Sequence, residues 1–150
     1  MQPTRVGWLW IALGLGGLVG PLTGVVVERL GPRRSWRLFA GVLALADVAL
    51  AGAVGLDLTW QAFAAMALFG AGYMCLSGVL LLWGRAAFAG AAGAGTSVLF
   101  IALAVGQALG SVGFGAAQGH AGPIGTVLVA ASLCAIGGGL TFLRAPHETA

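Results

Sequence analysis

The residues of this chain that could do chemistry are few and lie in three places. Glu28, Arg29, Arg33 and Arg34 crowd into seven positions between two long apolar runs, with Gly31 among them and Gly24 four residues before the acid. Arginines clustered at the end of an apolar run read as a topology anchor attracted to anionic lipid. Asp47 stands near the middle of an apolar run. An ionisable group at that depth in a membrane is costly unless it is paired, protonated or hydrated. Proton coupling is the chemistry it offers; a neutral carboxyl hydrogen-bonded to a neighbouring helix is the structural alternative. The third place is a set of uncharged polar residues: Tyr73 with Ser77, Gln107 with Ser111, each pair four residues apart, and Thr96 on the same helical face as Gln107. A handful of such groups in an apolar cleft suits a small-molecule path. The same groups could equally serve as hydrogen bonds between membrane helices.

Other chemistry is not offered. His120 and His147 are isolated, and the sequence has no Cys/His cluster, no paired-carboxylate site and no Ser/His constellation. No metal, cofactor or catalytic function is expected. Cys75 and Cys134 fall inside apolar runs and read as small buried thiols. The net charge of +3 is carried at the ends of apolar runs, where lipid headgroups lie, rather than along a surface that could follow nucleic acid.

The elements that must hold these residues are membrane helices. Hydrophobic residues make up 59% of the 150 residues and charged ones 7%, with a mean hydropathy of +1.01. A soluble domain carries roughly 25% charged residues, so the solvent is lipid. The first apolar run is longer than the roughly 7–15 residue core of a signal peptide and ends in a basic cluster, so it reads as a helix. Charges and turn residues set spans at about 6–27, 36–55 and 59–83. From 86 to 143 no charged residue appears. One helix of that length would measure roughly 87 Å, against a hydrocarbon core of about 30 Å. The run must fold back, at the Gly/Pro-rich stretch 115–123, giving spans at about 92–114 and 124–143.

The expectation is an all-α, polytopic bundle of five transmembrane helices in a single transmembrane domain. Its orientation follows from the arginines. Arg29, Arg33, Arg34, Arg37, Arg85 and Arg144 fall on one side and Arg5 alone on the other. That asymmetry puts the N-terminus outside and the C-terminus in the cytoplasm of a cell (inner) membrane. Trp8, Trp10, Trp36, Trp60 and Trp83 all fall near span ends, as an interfacial belt requires. Gly16, Gly20 and Gly24, and again Gly106, Gly110 and Gly113, form small-residue ridges suited to close helix packing.

Residues 24–34, Gly-Val-Val-Val-Glu-Arg-Leu-Gly-Pro-Arg-Arg, resemble the signature loop of the major facilitator superfamily, G-x-x-x-[DE]-R-x-G-x-[RK]-[RK]. The matching residues are Gly24, Glu28, Arg29, Gly31, Arg33 and Arg34. Glu28 stands where Asp is usual, and Pro32 takes the variable position. A second stretch, Gly106-Gln107-Ala-Leu-Gly110-Ser111, is similar to a run often found in the family's eleventh helix. The resemblance implies a partial major-facilitator-like half, matching helices eight to twelve. It also implies membrane transport of a small molecule by a secondary transporter, of which the chain is a truncated or split C-terminal half, inactive alone. Tyr73, Ser77, Thr96, Gln107 and Ser111 would then lie on the substrate path. Asp47 would be the candidate for proton coupling. The expected partners are the lipid bilayer, a small-molecule substrate of unknown identity, and a missing N-terminal half or partner membrane protein; nucleic acid is not expected. The alternative from another class is a small non-transporting membrane scaffold or assembly subunit that binds through the glycine ridges.

Overall fold

The computed structural model describes residues 3–88 and 90–140. Among these the chain is all-helical, and four helical stretches are long and apolar enough to cross a membrane: Val6–Leu30, Pro32–Gly55, Thr59–Ala87 and Gly93–Gly139. Helices suit this sequence because lipid offers backbone N–H and C=O groups no other partner.

The first stretch is not one continuous helix over 6–27, as the sequence suggests. Helix α1 (Pro3–Gly17) gives way to a 3-10 turn (Gly20–Leu22) and then helix α2 (Thr23–Leu30). The cause is Pro21. It has no N–H for the Gly17 carbonyl, and its ring crowds that position. The chain tightens to three-residue bonds instead, Leu18 N–H to Leu15 O at 3.2 Å and Leu22 N–H to Val19 O at 3.0 Å. Thr23 Oγ1 donates to Gly20 O at 2.6 Å and closes the bend.

Helix α3 (Pro32–Gly55) begins four residues before the expected span at 36–55. The expected loop around residues 28–37 shrinks to one residue, Gly31, at φ 77° and ψ 159°. That region of backbone space is open essentially to glycine alone. The extended ψ is what a following proline demands, and Pro32 then occupies the first turn of α3, where its missing N–H costs nothing. Helix α4 (Thr59–Ala87) likewise runs four residues past the expected end at 83.

Helix α5 (Ala92–Gly139) carries the same device. Gly122 sits at φ 67° and ψ 175°, with Pro123 next to it. The expected break at 115–123 is therefore helical as far as 121, and the reversal is confined to a second Gly-Pro pair. His120, expected in a loop, is on an exposed helical turn, and its Nδ1 lies 3.2 Å from Ala116 O.

Contacts give the direction of each part. Trp36 and Trp83 stack at 5.9 Å, so the start of α3 lies beside the end of α4. A Cβ on Gly84 would meet Leu99, which runs the first part of α5 back along α4. Trp36 Nε1–H donates to Gly137 O at 3.1 Å, and a Cβ on Gly55 would meet Ile124, which runs the second part back along α3. Leu99 and Gly137 thus lie at the same end of the α3–α4 pair.

The most buried packing is between α3 and α4, where Leu43, Ala46, Ala51, Ala53, Ala62 and Ala65 are all buried. A tighter cluster of Phe39, Cys75 and Val79 closes the arginine end. Trp36 and Trp83 are half-buried there, so they pack the core as well as marking an interface; Trp8, Trp10 and Trp60 are exposed.

One glycine ridge behaves as expected and the other does not. At Gly16 a Cβ would stand 1.8 Å from Ala67 O, and at Gly70 2.0 Å from Leu13 O, so α1 and α4 cross backbone on backbone. Gly20 abuts Met74, but Gly24 faces open space. Gly106 and Gly113 meet nothing within 4 Å, and Gly110 meets only Phe114 of its own helix. The expected close packing of that second ridge is absent among the described residues.

Candidate functional site

The bend at Pro21 opens a cavity of ≈ 530 Å³ between the first span, α4 and the first part of α5. Its walls include Gly17, Gly20 and Pro21 from the bend, Met74 from α4, and Phe100 and Leu103 from α5. Tyr73, Ser77 and Gln107 supply its polar groups. The antiparallel course of α4 and α5 brings Tyr73 and Gln107 together, and Gln107 Nε2 donates to the Tyr73 hydroxyl. Phe69, one turn before Tyr73, stacks on its ring at 6.3 Å with the planes 5° apart and fixes its direction. Ser77 Oγ donates to Tyr73 O at 2.9 Å. Its hydroxyl proton is thereby spent on its own helix, and it meets a ligand only as an acceptor.

Gln107 also borders a second, more open groove of ≈ 870 Å³ along α5, lined by Leu99, Leu103, Gly106, Gly110, Ser111 and Phe114 among others. Ser111 Oγ donates to Gln107 O at 2.8 Å. Thr96 is half-buried and borders neither space. The structure therefore brings together Tyr73, Ser77 and Gln107, sets Ser111 on the adjoining groove, and leaves Thr96 apart from both.

Both spaces are mainly apolar, and among the described residues no charged side chain lines either. A volume of several hundred cubic ångströms with a few fixed polar groups is typical of a small-molecule pocket. The chemistry available is reversible binding: Tyr73 and Gln107 each offer a donor and an acceptor, and trading their mutual bond for a ligand leaves neither unsatisfied. Among the described residues no three His, Cys, Asp or Glu side chains gather to hold a metal.

Asp47 lies elsewhere. It is 4% exposed, on α3 facing the second part of α5, where Cys134 Sγ–H donates to Oδ2 at 3.9 Å. It borders neither cavity, so the structure does not join it to Tyr73 and Gln107.

The charged residues of the stretch 24–34 frame the Gly31 hinge. Glu28 and Arg29 end α2, Arg33 and Arg34 begin α3, and all four side chains are exposed. Gly24 lies one turn before Glu28, on α2. Ser35 locks the hinge: it is fully buried, and its Oγ lies 2.8 Å from Gly31 O and 3.3 Å from Val26 O. Arg144 and His147 lie outside the described residues.

Sequence reasoning missed Ser35, Pro21, Met74 and Phe100. A proline inside an apolar run was the available signal for the bend. Ser35 gave none, because a hydroxyl beside two arginines reads as surface.

Neither the protein-family models, the curated proteins nor the solved structures contain a match to this chain.

Proposed function

We propose that the chain is part of a secondary transporter of the major facilitator type, with Tyr73 and Gln107 on one wall of its small-molecule path. It crosses the bilayer five times, with the N-terminus outside and the Gly31 hinge in the cytoplasm. The fifth crossing is supported by the reversal at Gly122, which brings Leu99 and Gly137 to one end of the α3–α4 pair. The observation that carries the functional reading is the joined Tyr73–Gln107 pair at the edge of a mainly apolar cavity beside a broken first span. Discontinuous helices lining a midplane site recur in transporters, where a non-helical backbone is tolerated only against protein or water. The signature residues at the hinge add the family resemblance.

Alternating access needs two halves that rock about the site, so these helices work with further helices on the same or a partner chain. The unpacked Gly106–Gly113 ridge and its groove are where that other half would sit. The same ridge favours the second reading, a non-transporting scaffold that holds a partner there.

Ligand binding separates the two. A panel of drugs, sugars and organic acids is screened for stabilisation of the purified chain in nanodiscs. A compound whose effect is lost in both Gln107→Ala and Tyr73→Phe supports the transport path. Stabilisation that ignores both substitutions, or none across the panel, overturns it in favour of the scaffold.

A further inference from the structure

A third cavity lies at the end of the α3–α4 pair away from the arginine hinge. It measures ≈ 360 Å³, within the range of roughly 300–1,000 Å³ usual for small-molecule pockets. Leu9 of the first span, Val54 at the end of α3, Phe63 of α4 and Pro123 after the α5 reversal meet around it, and Asp57 stands in its wall.

Asp57 occupies a position that stability alone would give to glycine. Helix α3 closes with Leu56 N–H on Gly52 O and Leu58 N–H on Ala53 O, both at 3.0 Å. That closure sends the residue between them into the left-handed region, and Asp57 stands there at φ 54°. A side chain is disfavoured at such a position, although Asp and Asn bear it better than most. Asp57 is also exposed, so its carboxylate is open to an incoming group.

The charge and its setting select the ligand. A carboxylate among apolar walls suits a cation that carries an apolar body of its own. An ammonium donates up to three N–H bonds, and the ring of Phe63 adds a face that attracts cations. Helix α3 has 24 residues, so roughly 36 Å separate this end from the hinge arginines, several times the Debye length of about 8 Å. Trp60 is exposed three residues after Asp57 and is of the type that rests at the membrane–water interface. An ammonium with an apolar tail settles at the same level, head to water and tail to lipid. Arg5 stands four residues before Leu9 on α1, and its side chain lies outside the described residues. An arriving ammonium exchanges with any counter-charge held at so exposed a carboxylate, so the site does not require Asp57 to be free.

We propose that this cavity binds a primary ammonium carried on an apolar body, with the charge on Asp57 and the body against Leu9, Val54 and Phe63. The ligand is a free hydrophobic amine or the ethanolamine headgroup of a lipid. Seated there, it touches the first span, the α3–α4 turn and the second part of α5 at once. Its placement outside the cell rests on the topology proposed above; the site itself does not depend on the transport path.

The test uses the full chain in phosphatidylcholine nanodiscs and three probes that share one body: phenylbutylamine, phenylbutanol and phenylbutyrate. Calorimetric titration, with empty discs as the blank, should show saturable binding of the amine and not of the alcohol or the acid. D57N keeps the shape and removes the charge; D57G removes the side chain at a φ that glycine adopts freely. Each should lower amine affinity on the order of tenfold, and D57G should fold at least as stably as the unsubstituted chain, which separates loss of binding from loss of structure. R5Q should bind the amine at least as well as the unsubstituted chain. Amine affinity that survives both D57N and D57G would overturn the proposal, as would equal binding of alcohol and amine, or loss of binding in R5Q. Adding phosphatidylethanolamine to the discs separates the two sources. Amine affinity that falls as this lipid is added supports the site with the lipid headgroup as its occupant, and unchanged affinity supports it with a soluble amine.

Discussion

Replacing Gly16 or Gly70 with alanine should break the closest approach at a glycine among the described residues. A methyl on Gly16 would stand 1.8 Å from Ala67 O, and one on Gly70 2.0 Å from Leu13 O, where real contacts begin near 3.0 Å. To reach that distance, α1 and α4 must part by about 1.2 Å in the first case and about 1.0 Å in the second. The obstacle is backbone on a second helix, so no rotamer change relieves it. A gap of 0.5–1 Å forfeits a quarter to a half of each dispersion contact, and overpacking typically costs about 1–3 kcal/mol. Alanine's better helix propensity returns up to about 1 kcal/mol. Gly24→Ala is the internal control: it faces open space, so it keeps only the propensity gain. The propensity gain is common to both kinds of substitution, so they should differ by the overpacking cost, about 1–3 kcal/mol, with Gly24→Ala the more stable. Reversible unfolding in mixed micelles, followed by tryptophan fluorescence, measures this. The double variant should lose less than the two single losses combined, because one parting of the helices relieves both contacts. If Gly16→Ala and Gly70→Ala prove as stable as Gly24→Ala, the reasoning is refuted and α1 does not cross α4 in this way.

Gly122→Ala should destabilise by about 1–3 kcal/mol or rebuild the reversal, since its backbone angles are open essentially to glycine alone; limited proteolysis in micelles, cutting near 122 in the variant only, would show it. Trp36→Phe removes the indole N–H from Gly137 O and should cost about 1–2 kcal/mol in the same unfolding assay. In an intact transporter, Glu28→Ala or Arg29→Ala should slow conformational cycling while leaving insertion largely unchanged, because the remaining arginines still set orientation; unchanged transport in both would reduce the hinge to a topology anchor. Purified chain alone in proteoliposomes should give no saturable flux; saturable flux that Gln107→Ala abolishes would mark a complete miniature transporter.

The helices were legible because lipid leaves the backbone one choice and apolar runs mark it directly. Their junctions were not. Counting charges gave a loop of about ten residues at the hinge, whereas the angles of Gly31 let arginines 33 and 34 join a helix. The same arithmetic that required a fold-back between 86 and 143 could not place it, because Gly115, Gly119 and Gly122 all look like breakers. Only the one followed by proline turns. The Tyr73–Gln107 pair was readable as two polar spots on separate helices; that they meet depends on the offset of α5 along α4, which no periodicity encodes. Thr96 shared a face with Gln107 and still fell outside the cavity, because lying on one face does not place a residue at the same height. The bend at Pro21, which shapes that cavity, was hidden by reading the first run for hydropathy alone.

The functional reading requires the arginine hinge and the Gly122 reversal to lie on opposite sides of the membrane. One measurement decides this: labelling His120→Cys and Arg34→Cys, each in a Cys75→Ala/Cys134→Ala background, with a membrane-impermeant maleimide applied to intact cells. Position 120 should react from outside, and position 34 only after permeabilisation. Position 120 reacting only from the cytoplasmic side would contradict the five crossings and the orientation on which the transport path rests.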